Sequence, residues 1–400
     1  MKQFLNILLV ALMALSSVVQ AEKISLERIY SDPSLSGKTP RNLTVSPDGQ
    51  RATYIQSRAD DYNRYDLWEY NVQSGKRSML VDSAALMSGE ENLSDEEKAR
   101  RERLRIYGKG ILQYTWSADG KALMFPLAGD VYYYQLSTKK AVKLTNSEGF
   151  ATDVKFSPKG NYISYVLDQN LYIIDIKSGK TKALTTLGGG NIKFAMAEFV
   201  AQEEIDRMTG YWWSGDESKI ALTKVDMSPV EVVTRNEIYA DSIKLVDQRY
   251  PFAGTPNVNI ELGIMDVNGK ADDIRWIDMG ADKDIYLARG HWLPNNKTFS
   301  YQWQNRTQQL LELRFVNAKT LEQQVVIQEK SDTWVNIHDS LKYLDDSFIW
   351  GSERDGFHHL YQFDYKGKLI AQLTKGDWVV DALKAVNKKT GDIFFTGRKD

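Results

Sequence analysis

Four hundred residues exceed what one ordinary hydrophobic core supports, so the chain either divides into domains or is built from repeats. Its composition, 42% hydrophobic and 26% charged, is that of a soluble globular protein, and a net charge of −2 argues against nucleic acid or an anionic membrane as the partner. Cysteine is absent, which excludes disulfides, thiolate metal sites and a cysteine nucleophile.

At the start of the chain, Lys2 precedes an apolar run from Phe4 to Val19, and small residues stand at Val19 and Ala21. This pattern predicts a secretory signal peptide over residues 1–21, cleaved after Ala21. The run falls short of the ~20 residues that span a bilayer, so no stable membrane association is expected after cleavage. Export of a chain without disulfides points to a bacterial periplasm.

From residue 22 onward one unit recurs. An apolar or aromatic residue is followed by Ser, then a group rich in Asp, Gly, Pro and Lys, then alternating β-branched and aromatic residues. Copies read LTVSPDGQRATYI from Leu43, YTWSADGKALMF from Tyr114, VKFSPKGNYISYV from Val154 and WWSGDESKIALTKV from Trp212, with a looser HWLPNNKTFSYQW from His291. Each predicts a β-hairpin. A second hairpin, turning at Ser-Gly-Lys or Lys-Gly-Lys, often follows, as in DLWEYNVQSGKRSMLV from Asp66, NLYIIDIKSGKTKALT from Asn170 and HLYQFDYKGKLIAQLT from His359. Two hairpins make a four-stranded blade, and repeated blades make an all-β propeller rather than tandem sandwiches.

Three insertions interrupt the repeat. SDEEKARRERLRIYG from Ser94 predicts a short charged helix, with Ser94 and Glu97 as a capping box. FAMAEFVAQEEIDRM predicts a second helix, from Phe194 to about Met208, which Gly210 stops and which carries Glu203 and Glu204. Residues 229–250 break into a hairpin and predict a protruding arm.

Familiar catalytic patterns are missing. There is no Gly-x-Ser-x-Gly elbow, no His-Glu-x-x-His and no Gly-rich phosphate loop, and His291, His338, His358 and His359 are scattered. No catalytic residue, metal or cofactor is therefore expected in this chain. Adjacent acids such as Glu203 and Glu204 repel unless they are solvated, split in pKa or matched by a cation. A solvated helix face is the plain reading, but Tyr211, Trp212 and Trp213 follow at once, placing the pair beside a blade, where two fixed carboxylates would suit an ammonium group. One arginine of the cluster Arg100, Arg101, Arg103 and Arg105 would brace it; spacing does not say which.

The stretch Glu198-Phe199-Val200-Ala201-Gln202-Glu203-Glu204 with Tyr211-Trp212-Trp213-Ser214, and RYPFAGTPNVNIELG from Arg249, resemble two motifs of dipeptidyl peptidase IV, in the prolyl oligopeptidase family of serine peptidases. The resemblance extends from about Ile24 to the C-terminus. It implies an eight-bladed propeller, incomplete in this chain, with short helical insertions, belonging to an enzyme that releases X-Pro or X-Ala dipeptides from peptides with a free N-terminus. It also implies that Glu203 and Glu204 bind the substrate's α-ammonium group. Arg101 is expected to hold a substrate carbonyl, with Arg103 and Arg105 as alternatives, and the arm at 229–250 is expected to make homodimer contacts. Gln202 departs from the pattern, since several relatives carry a third acid there. The chain reaches GDIFFTGRKD with neither the closing strands nor the family's C-terminal α/β-hydrolase domain, so it is expected to be a fragment inactive by itself. The alternative is a periplasmic propeller that binds protein partners without peptidase activity.

Overall fold

The computed structural model describes residues 23–87, 91, 93–146 and 149–399, and the expected signal peptide lies outside the described residues. Among these the chain lays down successive antiparallel sheets. Sheet 1 comprises Arg41–Val45, Arg51–Ser57, Arg64–Asn71 and Arg77–Val81, with Lys109–Gly110 added in parallel beside the third strand. Sheet 2 comprises Thr115–Trp116, Ala122–Leu127, Asp130–Gln135 and Lys140–Lys143, and sheet 3 Thr152–Phe156, Tyr162–Leu167, Asn170–Asp175 and Thr181–Ala183. In sheet 4, Ile192–Phe194 and Tyr211–Trp213 both pair with Lys219–Asp226, followed by Asn259–Asp266 and Arg275–Trp276. Sheet 5 comprises Ile285–Trp292, Thr298–Asn305, Leu310–Asn317 and Gln323–Lys330. Sheet 6 comprises Leu341–Tyr343, Ser347–Ser352, His359–Asp364 and Leu369–Gln372, and Val379–Val386 pairs with Ile393–Arg398 in sheet 7. Four short helices accompany the described strands: α1 (Leu26–Tyr30), α2 (Ser83–Leu86), α3 (Asp95–Arg103) and α4 (Phe199–Glu203).

The repeated serine explains the first hairpin of each blade. Ser46 Oγ donates to Asp48 at 2.5 Å and accepts the amide of Arg51 at 3.0 Å, which ties turn to strand. Ser117 and Ser214 repeat the arrangement with Asp119 and Asp216. The looser copy has Leu293 instead, buried in the layer between sheets 5 and 6, and Asn295 accepts the amides of Lys297 and Thr298.

Successive side chains of a strand point to opposite faces, and in the sheets between the first and the last both faces are covered. In sheet 2, Leu123 and Phe125 pack toward sheet 1 while Met124 packs toward sheet 3. In sheet 4, Ile220 and Leu222 face sheet 3 while Ala221 and Val225 face sheet 5. Phe348 and Trp350 of sheet 6 face sheet 5, and Ile349 faces sheet 7. An apolar layer thus separates each sheet from the next in chain order, the packing of a β-propeller. Aromatic donors cross these layers: Trp116 Nε1 to Thr53 Oγ1 (2.9 Å), Trp213 Nε1 to Ser164 Oγ (2.9 Å) and Tyr343 OH to Ser300 Oγ (2.7 Å).

In a four-stranded meander the turn between strands two and three and the exit from strand four lie at one end. The link carrying α3 leaves sheet 1 at that end. The arm, Val232–Ile238 paired only with Ile243–Arg249, replaces the turn between the second and third strands of sheet 4 and so rises from the same end.

Candidate functional site

The acidic pair occupies an excursion that interrupts the first strand of sheet 4. A long helix from Phe194 is not what forms. Phe194 closes the strand Ile192–Phe194, paired with Lys224, and Ala195 turns the chain out of the sheet at φ 58°. Glu198 then caps a helix of five residues, its Oε1 accepting the Ala201 amide at 2.9 Å, and Glu204 is the C-cap rather than a helical residue. Gly210 does not stop the helix. A Cβ there would lie 2.3 Å from the Met196 amide nitrogen, so glycine lets the returning strand pass against the departing one.

Arg103 Nε donates to Glu203 Oε1 at 2.9 Å, Arg103 Nη1 donates to Gln202 Oε1 at 2.9 Å, and its guanidinium lies 5.1 Å from the Phe199 ring centroid. Glu203 remains 39% exposed in this bridge. Glu204's carboxylate has no hydrogen-bond or ion-pair partner among the described residues and borders a cleft of about 490 Å³ walled by Phe199, Tyr250, Tyr286 and Arg306. A second cleft, of about 390 Å³, runs on the other side between α3, Gln202 and the charged face of the arm. The two carboxylates therefore differ: Glu203 is braced and Glu204 is open.

Of the arginines named from the sequence, the structure brings Arg103 to the pair and leaves the others elsewhere. Arg101 donates to Glu97 at 2.9 Å and to Glu91 at 2.7 Å, both nearly buried, while Arg100 makes a two-pronged contact with Glu97 at 2.7 and 3.1 Å. Arg105 is exposed just past α3, at φ 53°. Ser94 accepts the Glu97 amide as the capping box expects, but Glu97's carboxylate is engaged by the two arginines. The useful sequence signal is Glu97 itself: standing three residues before Arg100 and four before Arg101, it claims both side chains and leaves Arg103 to reach out.

Behind the pair lies a buried charge system that the sequence reading did not single out. Glu198 and Arg207 side chains are 1% and 3% exposed, with Oε1 to Nη2 at 3.9 Å. Burial pushes the Glu198 carboxyl above its usual range, partly offset by Arg207, and lowers the Arg207 guanidinium to about 10. Arg207 Nε donates to Leu287 O (2.9 Å) and Nη1 to Thr209 O (2.8 Å). Arg289 Nη1 donates to Ile205 O (2.7 Å).

Among the described residues no cluster of His, Asp or Glu is arranged to hold a metal. The neighbouring histidines diverge: His358 Nδ1 contacts Val380 O at 2.6 Å, whereas His359 Nε2 donates to Gly376 O at 2.9 Å and its Nδ1 faces Thr374 Oγ1 at 3.0 Å.

A propeller with a helical excursion that presents paired carboxylates at one end is the class that fold and site define. The chain belongs to the family described as the dipeptidyl peptidase IV (DPP IV) N-terminal region, which matches residues 113–400. It is 24% identical to human dipeptidyl peptidase 8 over 77% of this chain and 44% of that protein, and 25% identical to dipeptidyl peptidase 4 of Trichophyton rubrum over 67% of this chain and 36% of that one. The crystal structure of Porphyromonas gingivalis dipeptidyl peptidase 4 shares the fold, with a TM-score of 0.71 at 24% identity over 89% of this chain and 50% of its own. The chain spans half or less of the length of each of these relatives.

Proposed function

We propose that this chain is the substrate-positioning part of a serine-type dipeptidyl aminopeptidase, exported to the periplasm, that removes X-Pro or X-Ala dipeptides from peptides with a free N-terminus. The observation that carries this reading is the asymmetric pair, Glu203 braced by Arg103 and Glu204 open at the mouth of a cleft. An α-ammonium group has three donors and one positive charge. Glu204 supplies the uncommitted acceptors, and Glu203 adds the second negative charge while Arg103 keeps it from repelling its neighbour. Arg103 takes the role expected of Arg101, because its guanidinium is the one that reaches the pair. In the whole protein the reaction is acyl transfer to a serine and then to water, and this chain contributes position by fixing the N-terminus two residues from the bond cut.

The test uses the complete protein and a Gly-Pro anilide. Glu204→Ala is expected to lose most of kcat/KM, since one charge-assisted hydrogen bond is worth about 1.5 to 3 kcal/mol, and Glu203→Ala to lose a comparable share. Activity within about twofold of the parent in both variants would rule out the anchoring role.

A further inference from the structure

A helix of five residues has almost no stability of its own, because nucleation consumes most of what its few hydrogen bonds return. Something else must hold Glu203 and Glu204 in place. The excursion springs from sheet 4, where Thr223 holds both of its ends, and the stretch just after the acidic pair is tied to sheet 5 as well. Arg207 reaches Leu287 O in the strand Ile285–Trp292, and Arg289 from that same strand reaches back to Ile205 O, the carbonyl just after Glu204, at 2.7 Å. Arg289 also donates to Asp339 at 2.5 Å, which fixes its own direction. Glu198, at the start of the excursion, faces Arg207 at its end, so one buried ion pair closes the loop that carries the acidic pair.

That ion pair is a poor device for stability. Desolvating two charges is expensive, and Glu198 Oε2 and Arg207 Nη2 are buried without hydrogen-bond partners, so an apolar pair of similar size would hold the fold as well. What apolar packing lacks is direction. Guanidinium donors fix Leu287 O, Thr209 O and Ile205 O at set distances, and Ile205 directly follows Glu204.

We propose that Arg207 and Arg289 are positioning residues for the ammonium site, holding the acidic pair on sheet 5, and that Glu198 serves as the counter-charge that keeps Arg207 buried. This rests on the reading that Glu203 and Glu204 receive an α-ammonium group. The probes are the dipeptide Gly-Pro and acetyl-Pro, which differs from it only by the missing amine and, like it, cannot be cleaved further. Calorimetry on the complete protein gives the ratio of the two Kd values, the preference for an amine, alongside a thermal midpoint for each variant.

Glu198→Gln combined with Arg207→Met removes both buried charges and avoids stranding one of them, and Arg289→Gln removes the second tie alone. Each is expected to lower the amine preference by about tenfold while acetyl-Pro binding and the thermal midpoint stay near the parent's, because a displaced carboxylate loses its ammonium contact and little else. A merely structural role would lower the midpoint and weaken both ligands together, which overturns the proposal. So does an unchanged amine preference in Arg289→Gln. Glu204→Gln separates the two levels: if it leaves the preference intact the ammonium reading itself fails, and if it abolishes the preference while the arginine variants keep it, only the positioning role fails.

Discussion

Two residues of helix separate Arg101 from Arg103, and at about 100° per residue their side chains leave the axis on nearly opposite sides. Arg101 turns inward to Glu91 and Glu97, whose side chains are 4% and 3% exposed, and Arg103 turns outward to Glu203. The two arginines therefore fail differently when removed. Arg103→Ala is expected to raise KM on a Gly-Pro anilide by about tenfold with little change in the thermal midpoint, because an exposed bridge contributes under about 1 kcal/mol to folding. Arg101→Ala strands the buried Glu91 carboxylate, while Glu97 keeps Arg100, and is expected to destabilise by about 3 kcal/mol, read as a lower urea midpoint, with KM near the parent's. The reverse pattern would return the site role to Arg101. The sequence raised the expectation that one arginine of this cluster braces the acidic pair, but the choice depended on which side chains Glu97 claims, a contact visible as spacing only once the helix phase is known.

At the scale of single elements, the hairpin turns were legible because their chemistry is local: serine, an acid two residues on and glycine close a turn with contacts inside five residues. The third copy breaks the rule, since Lys159 stands where the acid should be. Its acid comes from the next blade. Glu217 Oε1 accepts Ser157 Oγ at 2.5 Å and the Lys159 amide at 2.7 Å, and Oε2 accepts Asn161 Nδ2 at 2.7 Å, so one carboxylate staples sheets 3 and 4. A contact 60 residues away leaves no local signal. Burial raises the Glu217 carboxyl, but the bonds from Ser157, Asn161 and Lys159 outweigh it and hold it below its usual value of 4.5. A carboxyl lowered in the folded state stabilises above its unfolded value, and that stability is lost as pH falls through the folded one. Glu217→Gln is therefore expected to reduce unfolding free energy at pH 7 by about 1.5 to 3 kcal/mol, with a gap that narrows steadily below about pH 4.5 in urea titrations. A gap independent of pH would show that the charge plays no part. The end of α4 differs from the sequence expectation for a related reason: Gly210 marks the close approach of the returning chain to Ala195 and Met196, not a helix stop. Gly210→Ala is expected to destabilise by about 3 kcal/mol, because backbone at Ala195 and Met196 must move to admit the methyl group.

For the whole molecule, the blade repeat made the propeller readable, since each sheet between the first and the last buries both faces against its neighbours and so repeats one apolar pattern. The arm is the part that obeys another logic. Its strands pair only with each other, and alternation gives the hairpin two unlike faces. One carries Arg235, Glu237, Lys244 and Gln248, bonded among themselves with Arg235 to Glu237 at 2.7 Å, and turns toward the cleft beside α3. The other carries Ile238, Ile243 and Leu245, exposed by 77%, 64% and 68%, with Val232 further down at 57%. A row of bare aliphatic side chains on a projecting hairpin is unfavourable in water unless something covers it. A second copy can do so with the same surface, because a two-fold axis brings like faces together and closes the assembly without leaving an edge. Replacing Ile238 and Leu245 with Glu is expected to halve the mass in light scattering of the complete protein while leaving the thermal midpoint near the parent's, since neither residue belongs to a blade layer. An unchanged mass would mean that this face meets something other than a second copy. The amine preference for Gly-Pro over acetyl-Pro should survive that substitution, because Ile238 and Leu245 line neither of the clefts beside Glu203 and Glu204, and its loss would show that assembly, and not sheet 5 alone, sets the site.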